Sequence, residues 1–189
     1  MYAAPSSAAE RQKMTSAQCP QPQDDELLSK LQAEQKRLLS LSKPPKIMIS
    51  ACLLGWPCRY DGQAKADPQL LESFGSDGAM PICPEMQGGL PVPRVPAGLA
   101  GGAEGGSICG YSAQVVNRSG QNVTAQFRAG AEAVLALAEL LQPELIILKQ
   151  HSPSCGCGSV GGADGQRHAG RGVACDLLEA KGFCVKAAG

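Results

Sequence analysis

One stretch decides the fold: residues 144–149, with the sequence ELIILK. Its unbroken apolar run is typical of a central strand that is buried on both faces of a parallel sheet. The chain then turns sharply through SPSCG, residues 152–156, where Ser, Pro and Gly surround Cys155. The sequence therefore predicts a central strand that delivers a cysteine to one edge of a sheet.

Two more cysteines follow short apolar runs in the same way. Residues 46–50, KIMIS, precede the turn that contains Cys52, and residues 79–82, AMPI, precede Cys83. Helical patterns separate these strands, which favours a single α/β domain with a mostly parallel sheet flanked by helices. Because ligands bind at the carboxyl ends of such strands, we expect the three cysteines to converge there.

Apolar periodicity also predicts the remaining elements. Helices are expected over residues 24–42, 68–74, 123–141 and 172–180, with Thr124 as N-cap of the third and Gly182 as C-cap of the last. Further strands are expected at residues 114–116 and 183–185. Residues 88–110 are dominated by Gly and Pro, so we expect an irregular segment that frames a site.

Composition limits the classes of function and divides the chain. The 189 residues carry a formal net charge of zero, which argues against strong nucleic-acid binding. No apolar run reaches the length of a membrane span, and no signal peptide is evident, so a cytoplasmic location is expected. Organelle targeting by the Ala- and Ser-rich N-terminus is the alternative.

We expect a disordered tail over residues 1–23, a helical extension over 24–45 and a domain over 46–189.

The nine cysteines match neither a zinc knuckle nor a ferredoxin run. In a reduced compartment such a set indicates metal binding or catalysis more often than disulfides. Spacing alone leaves two interpretations of the cysteines open. They could be dispersed ligands of a metal cluster, or they could be small hydrophobic residues of the core. We expect Cys175 and Cys184 to be buried hydrophobic residues and Cys19 to be free, while Cys109 and the roles of Cys58 and Cys157 stay open.

Three sequence blocks, taken in order, resemble the thiouracil desulfurase family. The first is SACLLG at residues 50–55 followed by CRYDG at residues 58–62, with Lys65. The second is ICPE at residues 82–85, followed by GGLP and PR up to Arg94. The third is LK at residues 148–149 with SPSCG at residues 152–156. The resemblance covers about residues 46–186.

The resemblance implies a [4Fe-4S] cluster held by Cys52, Cys83 and Cys155, with one iron left open for the sulfur of a small thiolated pyrimidine or nucleoside. Water then supplies the replacing oxygen, without net redox change. We expect Glu85 to move the proton of that water and Ser152 to orient substrate or relay a proton. The alternatives are a salt bridge between Glu85 and Arg94 or Arg59, and a turn-capping role for the Ser152 hydroxyl.

Two residues close to the Cys155 turn, and two departures from the family pattern, affect the surroundings of the expected cluster. Lys149 is expected to pair with an acid or the ligand, and His151 to be a solvent-facing loop residue. Gly98 stands where the family commonly has an acidic residue, and residues 161–165 replace a segment of Tyr-Asp-Gly type. These changes affect the choice of substrate more than the binding of the cluster.

Two other functions remain open: another sulfur-transfer step at the open iron, or a non-catalytic structural or sensing module.

Overall fold

The part of the chain that the structure describes contains eight strands and five α-helices. The computed structural model describes residues 22–100 and 110–189. In chain order the elements are α1 (Pro22–Leu39), β1 (Ile47–Ser50), a 3₁₀-helix (Ala51–Leu54), α2 (Pro68–Phe74), β2 (Met80–Ile82), α3 (Pro84–Gln87), β3 (Ala97–Ala100), β4 (Gln114–Asn117), α4 (Thr124–Leu141), β5 (Leu145–Lys149), β6 (Cys157–Gly161), β7 (Arg167–Arg171), α5 (Val173–Ala180) and β8 (Val185–Ala188). No helix in these described ranges is long and apolar enough to cross a membrane.

The main sheet contains four parallel strands in the order β2-β1-β5-β8. The ELIILK stretch forms β5, which lies between β1 and β8 and contributes the buried residues Ile146, Ile147 and Leu148. The prediction of an α/β domain with a mostly parallel sheet is therefore confirmed. Each cysteine turn follows the carboxyl end of its strand. Because the neighbouring strands β1, β2 and β5 run in the same direction, all three turns lie at the same edge of the sheet.

Helices cover both faces of this sheet. Successive side chains of a strand point to opposite faces. Met48 and Ile146 pack in a core with α4 and α5, whereas Ile49 and Ile147 pack in a second core with Leu31 of α1. Because each buried aliphatic side chain contributes about 1.5–3 kcal/mol to the free energy of unfolding, these two layers hold the sheet in place.

Two antiparallel hairpins, β3–β4 and β6–β7, lie beside the main sheet. The prediction of an irregular segment is wrong for Ala97–Ala100, because these residues pair with β4. The expected strand at residues 183–185 is displaced, because pairing with β5 begins at Val185. Cys184 is exposed, so the prediction that it is a buried hydrophobic residue is wrong. Cys175 is fully buried, as expected. Residues 1–21 and 101–109, with Cys19 and Cys109, lie outside the described residues.

Both predicted caps of the helices differ in the structure. The N-cap of α4 is Val123, without a side-chain cap, and the Thr124 hydroxyl instead accepts a hydrogen bond of 2.8 Å from the backbone N–H of Val115. The hydroxyl thus joins the helix to β4. The C-cap of α5 is Lys181, and Gly182 follows it with a φ of 86°. A glycine accommodates this left-handed turn without strain.

Two glycines let α3, which follows Cys83, lie close against α4. A Cβ atom on Gly130 would stand 1.8 Å from the carbonyl oxygen of Pro84, and one on Gly88 would stand 2.0 Å from that of Gln126. Backbone atoms on both sides leave no space for a methyl group. The position of Cys83 therefore depends on these glycines.

We predict that Gly130→Ala lowers the free energy of unfolding by about 1–3 kcal/mol, because α3 must move away from α4. The measurement is urea unfolding followed by circular dichroism. Glu139→Ala, at an exposed position of the same helix, is the control and should change stability by less than about 0.5 kcal/mol. Equal stabilities for the two variants would show that α3 does not depend on this close packing.

Candidate functional site

Three cysteine turns open into one cavity of about 610 Å³ at the carboxyl edge of the main sheet. Cys52, Cys83 and Cys155 are 7%, 8% and 6% exposed, and all three line the cavity wall. The structure thus brings the predicted cysteines together. Cys58 lines the same wall, whereas none of the other described cysteines does.

Local backbone structure fixes each of these cysteines. Cys52 lies in the 3₁₀-helix that begins directly after β1, and Cys83 is the N-cap of α3, where Pro84 occupies the first helical position. The Cys155 turn is held by the Ser152 hydroxyl, which accepts hydrogen bonds from the backbone N–H groups of Ser154 and Cys155, at 3.1 and 3.2 Å. Sharp turns of this kind place a side chain at the end of a strand with little freedom.

Cys58 is 2% exposed and connects two of the three cysteines. The Cys83 thiol donates to the carbonyl oxygen of Cys58 at 3.9 Å. Hydrogen bonding with the Cys58 side chain lowers the pKa of Cys52 and of Cys83 and raises that of Cys58. Burial raises the pKa of Cys155, which the Ser50 hydroxyl partly offsets. Two of the three thiols are therefore held in surroundings that favour the thiolate, which is the form that binds metals.

The donor set suits an iron–sulfur cluster. Clusters of this kind bind to cysteine thiolates, and the cavity offers four buried cysteines: Cys52, Cys83 and Cys155 from the three turns, and Cys58. In the described part of the chain no three His, Cys, Asp or Glu residues are grouped closely enough to hold one metal ion.

Glu85 lies at the centre of a hydrogen-bonded network on the cavity wall. Its Oε2 atom accepts a hydrogen bond of 2.7 Å from Nε of Arg94, and its Oε1 atom accepts hydrogen bonds from the hydroxyls of Ser152 and Ser154, at 3.3 and 3.2 Å. Arg94 also donates to the carbonyl oxygen of Cys58. The structure therefore contains both the Glu85–Arg94 salt bridge and the turn-capping role of Ser152. Arg59 pairs with Asp61 instead.

The wall of the cavity is strongly cationic although the chain is neutral. Its lining contains six Lys or Arg residues and Glu85 as the single Asp or Glu among the residues described: Arg59, Lys65, Arg94, Arg118, Lys149 and Arg167. Burial and the charge of Lys65 lower the pKa of Lys149, whose amino group donates to the carbonyl oxygen of Gln150 at 3.1 Å. It also donates to the backbone oxygen of Gly189. Neither contact is with an Asp or Glu side chain, and pairing of Lys149 with the ligand stays a prediction.

Both hairpins contribute to this wall. A Cβ atom on Gly98 would stand 2.3 Å from the backbone of Gly162, so Gly98 permits β3 to lie against the β6–β7 hairpin. His151 is half-buried in the wall, with its Nδ1 atom 3.2 Å from Oγ of Ser159, and is less exposed than expected for a loop residue. Sequence reasoning missed Arg118 and Arg167, because both lie in hairpins that it predicted only in part.

Comparisons with known proteins show the family of this chain. The family model for 2-thiouracil desulfurase matches residues 47–188. The chain belongs to this family. The sequence resemblance over residues 46–186 is thereby confirmed. The solved structure of TudS, described as a [4Fe-4S]-dependent thiouracil desulfidase, is 41% identical, covers 76% of this chain and 90% of its own, and aligns with a TM-score of 0.66.

A curated relative is similar over most of the chain. YbbK of Bacillus subtilis (strain 168), an uncharacterized protein, is 37% identical over 141 residues, which are 74% of this chain and 93% of YbbK.

The Glu85–Arg94 pair generates a prediction about stability. Their side chains are 15% and 7% exposed, so Arg94→Met leaves a largely buried carboxylate without its cation. We expect the free energy of unfolding to fall by about 3 kcal/mol in a urea titration. The matched control is Arg37→Met, which removes exposed ion pairs with Glu34 and Asp77. A fall no larger than that of the control would contradict this view of the pair.

Proposed function

We propose that this protein is an iron–sulfur-dependent desulfidase that replaces the C=S group of a small thiolated pyrimidine or nucleoside by C=O. The single observation that carries the proposal is the convergence of three buried cysteines and the Glu85 carboxylate on one cavity. The description of TudS, at 41% identity, supports the same chemistry. One water molecule is consumed and sulfur leaves as sulfide, so no electrons are gained or lost overall.

Cys52, Cys83 and Cys155 would hold a [4Fe-4S] cluster. When bound, the cluster supplies an iron without a protein ligand, which acts as a Lewis acid and makes sulfide a better leaving group. Burial of the three thiols keeps them from bulk solvent, and hydrogen bonding with Cys58 lowers the pKa of Cys52 and of Cys83.

Glu85 is the group proposed to take a proton from the attacking water. Arg94 holds one carboxylate oxygen, and the serine hydroxyls orient the other. Ser152 accepts hydrogen bonds from two backbone N–H groups, so its own O–H is directed to Oε1 of Glu85. This arrangement gives the carboxylate a fixed position beside the cavity, which is what general-base catalysis requires.

The cationic wall bears on the choice of substrate. No ion pair within the described ranges engages Lys65, Arg118 or Arg167, so no Asp or Glu side chain neutralises these three residues of the cavity lining. Unpaired cations of this kind raise the local concentration of anions. The site therefore favours a thiolated nucleoside that carries a phosphate over the neutral base.

The first prediction from this proposal concerns the cluster. After anaerobic reconstitution with iron and sulfide, Cys52→Ala, Cys83→Ala and Cys155→Ala should each lose most of the bound iron, because each removes one of three ligands. Iron and sulfide content per chain is the measurement, and Cys184→Ala, at an exposed cysteine, is the control. Full iron content in the triple variant would exclude these residues as ligands.

The second prediction concerns Glu85. Glu85→Gln keeps the shape of the side chain but removes the base, so kcat for conversion of 4-thiouridine should fall about 10²–10⁴-fold while iron content is kept. Glu179→Gln, in α5, is the control. Unchanged kcat at full iron content would assign the proton transfer to another group.

The third prediction concerns the cationic wall. Arg118→Gln combined with Arg167→Gln should raise the KM for the 5′-monophosphate of 4-thiouridine and leave the KM for 2-thiouracil nearly unchanged. The reason is that the base lacks the charge that these side chains attract. Steady-state kinetics on both substrates is the measurement, with Arg128→Gln, which does not line the cavity, as control. Equal effects on the two substrates would contradict a role in binding phosphate.

The same assays separate the alternative functions. A non-catalytic structural or sensing module would bind iron but convert no thiolated pyrimidine. Another sulfur-transfer step would consume sulfide or pass it to an acceptor, whereas desulfidation yields sulfide and the oxo product in equal amounts. The balance of sulfide against oxo product therefore decides between them.

A further inference from the structure

Two cysteines away from the cavity lie in direct contact. The Cys175 thiol donates a hydrogen bond to the sulfur of Cys157, with 2.6 Å between the two sulfurs. Cys157 opens β6 and is half-buried, whereas Cys175 lies in the first turn of α5 and is fully buried. Neither residue lines the cavity, and desulfidation gives neither of them a role.

A metal does not account for this pair. A structural metal needs three or four ligands around one point. In residues 22–100 and 110–189 no third His, Cys, Asp or Glu joins a group that could hold an ion. Two thiols in contact without further ligands have the arrangement from which a disulfide forms.

We propose that Cys157 and Cys175 are a site of reversible disulfide formation, with a low-molecular-weight disulfide of the glutathione class as oxidant. The Cys157 sulfur loses its proton and attacks one sulfur of the oxidant, which forms a mixed disulfide and releases one thiol. The Cys175 sulfur then attacks the Cys157 sulfur, which releases the second thiol. The pair loses two electrons and two protons, and the oxidant gains both as two thiols.

Access determines the order of these two attacks. An oxidant of the size of glutathione disulfide cannot reach Cys175, because that residue is enclosed in the core between α4, α5 and the main sheet. Cys157 is partly exposed at the start of its strand. Cys157 is therefore the residue that meets the oxidant, and Cys175 is the residue that resolves the mixed disulfide.

The bond would brace the turn that contains Cys155. The Cys157 thiol already donates to the carbonyl oxygen of Cys155 at 3.3 Å. From the other side, the first N–H groups of α5 donate to the carbonyl oxygens of Pro153 and Ser154, at 2.9 and 2.8 Å. A disulfide between β6 and α5 would connect the two elements whose hydrogen bonds hold the Cys155 turn. Oxidation is therefore expected to slow amide hydrogen exchange in this turn.

The test uses the full chain after reconstitution with iron and sulfide, exposed anaerobically to oxidised glutathione. Free thiols are alkylated, and peptides are mapped by mass spectrometry without reductant. We expect a crosslinked peptide that joins Cys157 to Cys175, while the exposed Cys184 carries glutathione instead. Exchange at the backbone N–H of Gly156 should slow in the oxidised protein, and reduction should reverse both changes.

Two variants report the order of attack. Cys175→Ser should keep glutathione on Cys157, because the resolving thiol is gone, whereas Cys157→Ser should leave Cys175 unmodified. Recovery of both cysteines as separately alkylated peptides from the native chain, at oxidant concentrations that modify Cys184, would overturn the proposal. The native map decides this even if a variant fails to fold.

Discussion

The parallel pairing of β1, β2 and β5 is the constraint on which the rest of the structure depends. Since the three strands run in one direction in adjacent positions, their carboxyl ends meet at one edge of the sheet. Each strand ends in a sharp turn that carries a cysteine. The buried aliphatic residues on both faces hold this pairing, so the same packing that stabilises the sheet also assembles the site.

Around the ends of these strands, the Glu85 carboxylate connects the cysteine turns to one another through Arg94 and Ser152. The buried Glu85–Arg94 pair spans the turn after Cys83 and the segment before β3, and Arg94 reaches the backbone of Cys58. Ser152 connects the same carboxylate to the Cys155 turn. A carboxylate held by a buried cation and by hydroxyls keeps its orientation without help from substrate, which is the preorganisation that catalysis needs.

Sequence could predict the parts of the molecule that local patterns encode. The unbroken apolar run of β5 and the Gly- and Pro-rich turns fixed the parallel sheet and the edge where Cys52, Cys83 and Cys155 meet. The hairpins were hard to predict because β6 and β7 contain Gly, Ser and Arg without strong alternation, and β3 pairs with a strand more than ten residues away. The cationic wall was missed for the same reason, since Arg118 and Arg167 reach the cavity through those hairpins.

The most direct test of the central claim follows oxygen and sulfur together. The reconstituted chain is incubated anaerobically with 4-thiouridine in isotopically labelled water, and the nucleoside product and sulfide are measured. We expect one labelled oxygen in each uridine formed, an equal amount of sulfide and no requirement for an electron donor. Absence of uridine from a fully iron-loaded chain, or uridine without label, would contradict it.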